Sequence, residues 1–353
     1  MALKFEFRLY NGEKMKGWKI VKPHTVSENE IPETEKIANT TKVKITKALL
    51  TLSDVLRYNG DISTEEIVLG SFGIGVVSEA DANLFGVNKG DHVYIEPNKP
   101  CMGCYNCKNG ETDKCSSLLV AGEDYDGFLS DFVSAETDKI YALPDNVTDT
   151  EALFIGHISL AEAIFDKLEI DKGDYVAIVG TDNFANIFAQ LLIYYQAVPI
   201  VLGYDEEGLN SARQSGIYYV LGQEDNWVKE VSAITGGRMT KSVVYVSDSN
   251  IPVVKAFSIA SYNAGIVITG LSNKNNSVSF SQAIKKQLNI HCISDSVGNT
   301  ATSINLLANK AINFSHLKTE TESYEKVPEV LEKMNKDFEE TGKICETIIE
   351  QNF

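Results

Sequence analysis

The chain has 353 residues, 43% of them hydrophobic, and a formal net charge of −17 from 32 basic and 49 acidic side chains. That length suits about two domains, and that composition suits a real core. The acidic field excludes nucleic acid and anionic membranes as expected partners, and an anionic cofactor would need a local binding device. Residues 1–8, MALKFEFR, contain no apolar stretch of signal-peptide length, and no run reaches transmembrane length, so a cytoplasmic location is expected.

Up to about residue 150 the pattern is one of short β-like runs: 42–46 (KVKIT), 73–77 (GIGVV) and 92–95 (HVYI), separated by turn residues such as 88–91 (NKGD). This predicts a small, mostly β domain. It contains Cys101, Cys104, Cys107 and Cys115, four of the six cysteines within fifteen residues. Four thiolates complete a closed tetrahedral zinc shell with no position for water or substrate, which makes this a structural site, one zinc per chain. Disulfides and an iron–sulfur ligand set are the alternatives, and a reducing cytosol disfavours the first. Gly103 and Gly110 lie between the ligands, where a chain turning tightly around a metal needs relaxed backbone angles. Cys292 and Cys345 stand alone and are expected to be core thiols.

After residue 170 strand and helix alternate. Tyr175–Val179 leads into a helix through Tyr195; Pro199–Leu202 precedes a helix over Glu206–Gln214. Tyr218–Leu221, a helix over Asn226–Ile234, Ser242–Val246, a helix near 251–261 and Gly265–Thr269 follow. Apolar strands alternating with helices predict a parallel, doubly wound sheet, the α/β class, whose first strand–helix turn holds any dinucleotide.

With the four-cysteine lobe inside the β domain, the run 170–180 (IDKGDYVAIVG) and the strand 265–270 (GIVITG), the chain resembles the medium-chain, zinc-type alcohol dehydrogenase family over nearly its whole length. The resemblance implies a GroES-like catalytic domain over 1–150 with its zinc lobe at 97–117. It also implies a Rossmann domain over 151–296 and a C-terminal segment, 297–353, that returns to the catalytic domain. Homodimers or homotetramers, a small-molecule substrate and hydride transfer with NAD or NADP are implied as well.

The chain departs from the family where a second, catalytic zinc is bound. The motif Cys-Gly-Ser/Thr-Asp-x-His falls on 51–56, TLSDVL, so Thr51 stands at the ligand position and Leu56 at the histidine. The motif Gly-His-Glu-x-x-Gly falls on 70–75, with Ser71 for the histidine ligand and Phe72 for the glutamate. The third ligand position matches Gly156, with His157 one step away. Neutral hydroxyls are poor zinc ligands and a phenyl ring is none, so one zinc is predicted, not two. Ser53 matches the family's relay hydroxyl, although Ser53 and Asp54 could simply cap the next helix. Ser53 and His157 are the candidate donors to a substrate oxygen.

The cofactor turn departs too. Gly-x-Gly-x-x-Gly falls on Gly180, Thr181, Asp182, Asn183, Phe184 and Ala185. Asp182 replaces the glycine that lets backbone approach the pyrophosphate and is expected to turn a like charge on the phosphates; Ala185 is tolerated. Gly203 stands where an acidic residue would meet the ribose of NAD, followed by Tyr204 and Asp205, with no basic residue close behind; Arg213 is expected on a helix face. Two readings follow: an NAD(P)-dependent oxidoreductase of a small carbonyl or activated alkene that works without catalytic zinc, or a catalytically silent scaffold or ligand-binding member of the family.

Overall fold

The computed structural model describes residues 9–34, 39–62, 66–80, 86–246, 250–271, 278–294 and 298–351; residues 1–8, read above for a targeting signal, lie outside them. The chain divides into two compact units, one of Met1–Phe154, Thr319–Lys336 and Ile344–Phe353, the other of Ile155–Lys318 and Asp337–Lys343.

The first unit opens with a hairpin of β1 (Leu9–Lys22) and β2 (Thr25–Thr34). Strand β3 (Thr40–Leu50) alternates, with Val43 and Ile45 fully buried and the neighbouring Lys42 and Lys44 only partly covered, as expected of a strand with one face on a core. Helix α1 (Leu52–Asn59) ends at Gly60, whose φ of 81° is the left-handed cap that favours glycine. Then come β4 (Phe72–Glu79), β5 (His92–Ile95), β6 (Asn98–Lys99), α2 (Tyr105–Lys108), β7 (Leu119–Val120), β8 (Phe132–Glu136), β9 (Ile140–Ala142) and α3 (Asp149–Ala152). The β6–β7 ribbon brackets the four cysteines.

The second unit runs α4 (Ile155–Leu168), β10 (Tyr175–Val179), α5 (Asn183–Tyr194), β11 (Val198–Leu202), α6 (Glu206–Gln214), β12 (Tyr219–Leu221), α7 (Trp227–Ile234), β13 (Thr240–Val246), α8 (Val254–Ile259), β14 (Ala260–Thr269), α9 (Ser281–Lys286), β15 (Asn289–Cys292) and α10 (Thr300–Ala308). Its six strands are parallel in the order β12-β11-β10-β13-β14-β15. Val176 to Val179 on central β10 are all fully buried, which is why that run carries no polar alternation.

Strand β16 (Thr319–Ser323), helix α11 (Val327–Thr341) and strand β17 (Glu346–Glu350) complete the chain. The two strands extend the first unit's sheet, in the order β16-β17-β3-β4-β5-β9, with β8 on another stretch of β3. The protein is thus a mostly β unit joined to a doubly wound parallel-sheet unit, the α/β class.

Three sequence expectations need correction. Residues 298–318 group with the parallel-sheet unit, not with the returning segment, because α10 docks on α4 through a buried Ser159–Ser303 hydroxyl pair at 2.9 Å. The helix expected near 251–261 is only Val254–Ile259. The Lys286 ammonium ends it by donating to the carbonyls of Phe257, Ser258 and Ala260 at 2.9, 2.9 and 2.7 Å. Cys292 is exposed, not a core thiol, since β15 is the edge of its sheet, and Cys345 is half-buried.

Candidate functional site

The sulfurs of Cys101, Cys104, Cys107 and Cys115 lie within 4.8 Å of one another. Among the described residues they are the one group of three or more His, Cys, Asp or Glu side chains placed to share an ion. Backbone amides aim at them: Cys101 N to Cys115 Sγ at 3.2 Å, Cys107 N to Cys104 Sγ at 3.4 Å and Ser117 N to Cys115 Sγ at 3.4 Å. The Cys107 amide draws the Cys104 thiol down to about 6, the Cys101 amide lowers that of Cys115, and burial pushes Cys107 up to about 12. A compact sulfur quartet with amide donors already turned to it is compatible with structural zinc, which would hold all four as thiolates.

Thr51 and Ser71, from α1's start and β4's approach, are brought together. Their hydroxyl oxygens lie 3.0 Å apart. Both rest on Asp54, whose Oδ2 accepts from Ser71 Oγ at 3.2 Å and from the Thr51 amide at 2.9 Å, while Oδ1 accepts from the Gly70 amide at 2.9 Å. Asp54 is 1% exposed, and burial raises its carboxyl to about 6 against the lowering by those donors and by Arg57. The residue preceding α1 is therefore Thr51, and Asp54 serves as the reciprocal partner of the Thr51 amide, a capping-box arrangement.

Ser53 does not cap this helix. Its hydroxyl donates to Glu123 Oε1 at 2.5 Å, and the fully buried Arg57 donates from Nη2 to the Glu123 carbonyl. Phe72 opens β4, opposite Leu49 of β3, and is only partly buried. His157 lies in the first turn of α4 in the other unit and is half-buried.

At the dinucleotide turn, Gly180 has φ 152°, and a Cβ there would meet Val246 side-chain atoms at 2.8 and 2.9 Å, so packing against β13 demands glycine. Asp182 caps α5, its Oδ1 accepting from the Ala185 amide at 2.8 Å, so the like charge expected there stands at the helix N-terminus. One of the four first-turn amides is thus satisfied by the chain's own carboxylate. The Thr181 methyl sits against Gly203, where a Cβ would approach it to 2.2 Å. Phe184 and Ala185 are buried in the turn's support, and Tyr204 packs on Trp227, ring centroids 5.5 Å apart. Arg213 is on the exposed face of α6, paired with Glu206 at 2.7 Å.

The absence of nearby basic residues in sequence does not carry into space. Asp205 caps α6 through the Gly208 amide at 3.0 Å, and its Oδ2 lies 3.2 Å from Lys318 Nζ and 3.3 Å from Lys343 Nζ. Lys318 also reaches Glu207 at 3.0 Å. The segment bearing Lys318 is fastened by amide side chains of α5. Asn183 exchanges two bonds with Lys318 backbone, both 2.8 Å, and Gln190 two with Asn313 backbone, at 3.1 and 2.7 Å. Sequence reasoning missed this pair of lysines; the only trace was three amides at i, i+3 and i+7 on an otherwise apolar helix, Asn183, Asn186 and Gln190.

Residues 38–145 match the family described as the alcohol dehydrogenase GroES-like domain. An uncharacterized zinc-type alcohol dehydrogenase-like protein of Haemophilus influenzae is 27% identical, covering 94% of this chain and 98% of that protein. The starvation-sensing protein RspB of Escherichia coli K12 is 23% identical over 95% of this chain and 100% of its own. Among solved structures, a short chain alcohol dehydrogenase, rspB, of Escherichia coli CFT073 complexed with NADH superposes with a TM-score of 0.84 at 23% identity, covering 96% of this chain and 100% of that one. A zinc-binding dehydrogenase of Sinorhizobium meliloti bound to NADP superposes with a TM-score of 0.82 at 16% identity, covering 96% and 100%. Among the described residues no helix is long and apolar enough to cross a membrane. The chain thus carries the alcohol dehydrogenase GroES-like domain over residues 38–145, and over nearly its whole length it is similar to zinc-type alcohol dehydrogenase-like proteins.

Proposed function

We propose that this chain keeps one structural zinc, held by Cys101, Cys104, Cys107 and Cys115, and catalyses NAD(P)-dependent hydride transfer to or from a small carbonyl or activated alkene without a catalytic metal. The observation that carries the reading is the hydroxyl pair of Thr51 and Ser71, 3.0 Å apart and backed by Asp54. Where a metal would polarise a substrate oxygen, this arrangement offers hydrogen bonds, which suffice for substrates whose own conjugation carries the developing charge. Ser53, held by Glu123, is the further candidate donor in this unit, and His157 is a candidate in the other unit.

At the end of β11, Lys318 and Lys343 would offer an anionic dinucleotide two ammonium donors, their charge already balanced by Asp205 and Glu207. The tight turn at Gly180 and the N-terminus of α5 would take the phosphates, with Thr181, Asn183 and Phe184 lining the turn and Gly203 and Tyr204 lining the ribose side. A bound nicotinamide would supply the hydride. We further propose a homodimer or homotetramer in a reducing, cytoplasmic setting, which keeps the four thiols available to the metal.

A second reading, a silent scaffold or ligand-binding member, is favoured by the Asp182 cap, which sets a carboxylate where a pyrophosphate would lie. Titrating the purified protein with NADPH and NADH, with zinc quantified in the same sample, separates the two. Cofactor binding with one zinc per chain, followed by turnover of α,β-unsaturated ketones or quinones, is expected. One zinc without cofactor binding establishes the silent member, and two zincs per chain would return a metal-dependent dehydrogenase.

A further inference from the structure

The trio at α1's start has a property that neither hydroxyl has alone. Asp54 is 1% exposed and surrounded by donors, so a proton reaches its carboxyl only along hydrogen bonds or by local opening. Its Oδ2 is 3.2 Å from Ser71 Oγ, and Ser71 Oγ is 3.0 Å from Thr51 Oγ1. Ser71 is buried at 9% exposure and Thr51 is only partly buried, so the row runs from the interior outward. A hydroxyl both donates and accepts, so each link can pass a proton by exchanging those roles.

We propose that Asp54, Ser71 and Thr51 form a proton relay whose outer end is Thr51 Oγ1. In the carbonyl reduction proposed above, on which this role rests, the substrate oxygen would receive the proton of Thr51 Oγ1, and the hydride for its carbon would be supplied by a nicotinamide when one is bound. The Thr51 oxygen regains a proton from Ser71, Ser71 from the Asp54 carboxyl, and Asp54 is left as the carboxylate. The carbonyl is reduced to an alcohol and the nicotinamide is oxidised, so charge and electrons balance. Reversed, the same row carries a proton inward during oxidation.

The groups facing Asp54 suit a carboxyl that both holds and releases a proton. The Thr51 and Gly70 amides, the Ser71 hydroxyl and the charge of Arg57 favour the carboxylate, and burial opposes them. The balance leaves the group at about 6, near the pH at which an acid–base group works best. Arg57 is itself anchored to the Glu123 carbonyl, and the Glu123 carboxylate is taken up by Ser53.

The test is pH-jump infrared spectroscopy on the whole protein without substrate or cofactor, reading the protonated carboxyl band, assigned to Asp54 by its loss in Asp54→Asn. Ser71→Ala and Thr51→Val should each slow the appearance of the band by about tenfold or more, and Ser71→Thr and Thr51→Ser should restore it. Unchanged rates in Ser71→Ala and Thr51→Val would overturn the relay, as would an Asp54 that stays ionised at every pH at which the chain is folded. Because no turnover is read, this failure is separate from a failure to bind dinucleotide.

Discussion

Asp182 Oδ1 accepts the Ala185 amide at 2.8 Å, so the helix that would meet a dinucleotide's phosphates is already capped by a charge of the same sign. Replacing that carboxylate removes a repulsion of about 1–4 kcal/mol at contact distance, depending on local screening. Asp182→Gly should therefore tighten NADPH binding by about tenfold, read by fluorescence titration. The helix should lose only a few tenths of a kcal/mol, roughly, since glycine is itself an acceptable cap. Equal affinities in the two proteins would show that the cap does not oppose the cofactor.

The raised carboxyl of Asp54 predicts a stability that varies with pH. Its folded value of about 6 exceeds the ordinary 3.8, so between these the folded chain binds more protons than the unfolded one. Its contribution is fully present below the unfolded value and is lost as pH rises through about 6. The window corresponds to roughly 3 kcal/mol. Urea unfolding across that range should show stability falling with pH in the wild type and a flatter profile in Asp54→Asn, whichever is the more stable at neutral pH.

The cysteine lobe should hold one zinc per chain, with local folding bound to it. Cys104→Ser or chelation should remove the metal and raise amide exchange across 97–117 while leaving the parallel-sheet unit protected. Unchanged zinc content in Cys104→Ser would count against the site.

The amide fastening of α5 makes a stability prediction remote from any chemistry. Asn183→Ala and Gln190→Ala each remove two partly buried bonds to the main chain of 313–318 and strand the partner groups. Each should cost about 2–4 kcal/mol in urea unfolding. A loss under about 0.5 kcal/mol would mean that water replaces the bonds without strain.

Much of the fold was legible because it rests on local periodicity. The run Tyr175–Val179 is a buried central strand, and Glu206–Gln214 is a helix with the expected bounds. The helix near 251–261 is shorter than its sequence pattern because its end is imposed by Lys286, which approaches from another element. The edge position of β15, and with it the exposure of Cys292, is likewise a matter of strand order that no run of residues encodes.

The α/β class, the four-cysteine lobe and the replacement of metal-binding residue types by Thr51, Ser71 and Phe72 are written in the order of residues, since spacing and ligand chemistry are properties of the chain. What those replacements do depends on which partners folding brings to them. Folding joins Thr51 to Ser71 over Asp54, makes Asp182 the cap of α5, gives Ser53 to Glu123, and brings Lys318 and Lys343 to Asp205. Hydrogen bonds and ion pairs act over about 3–4 Å, whereas these partners lie up to 138 positions apart, from 205 to 343, a proximity that only chain folding creates.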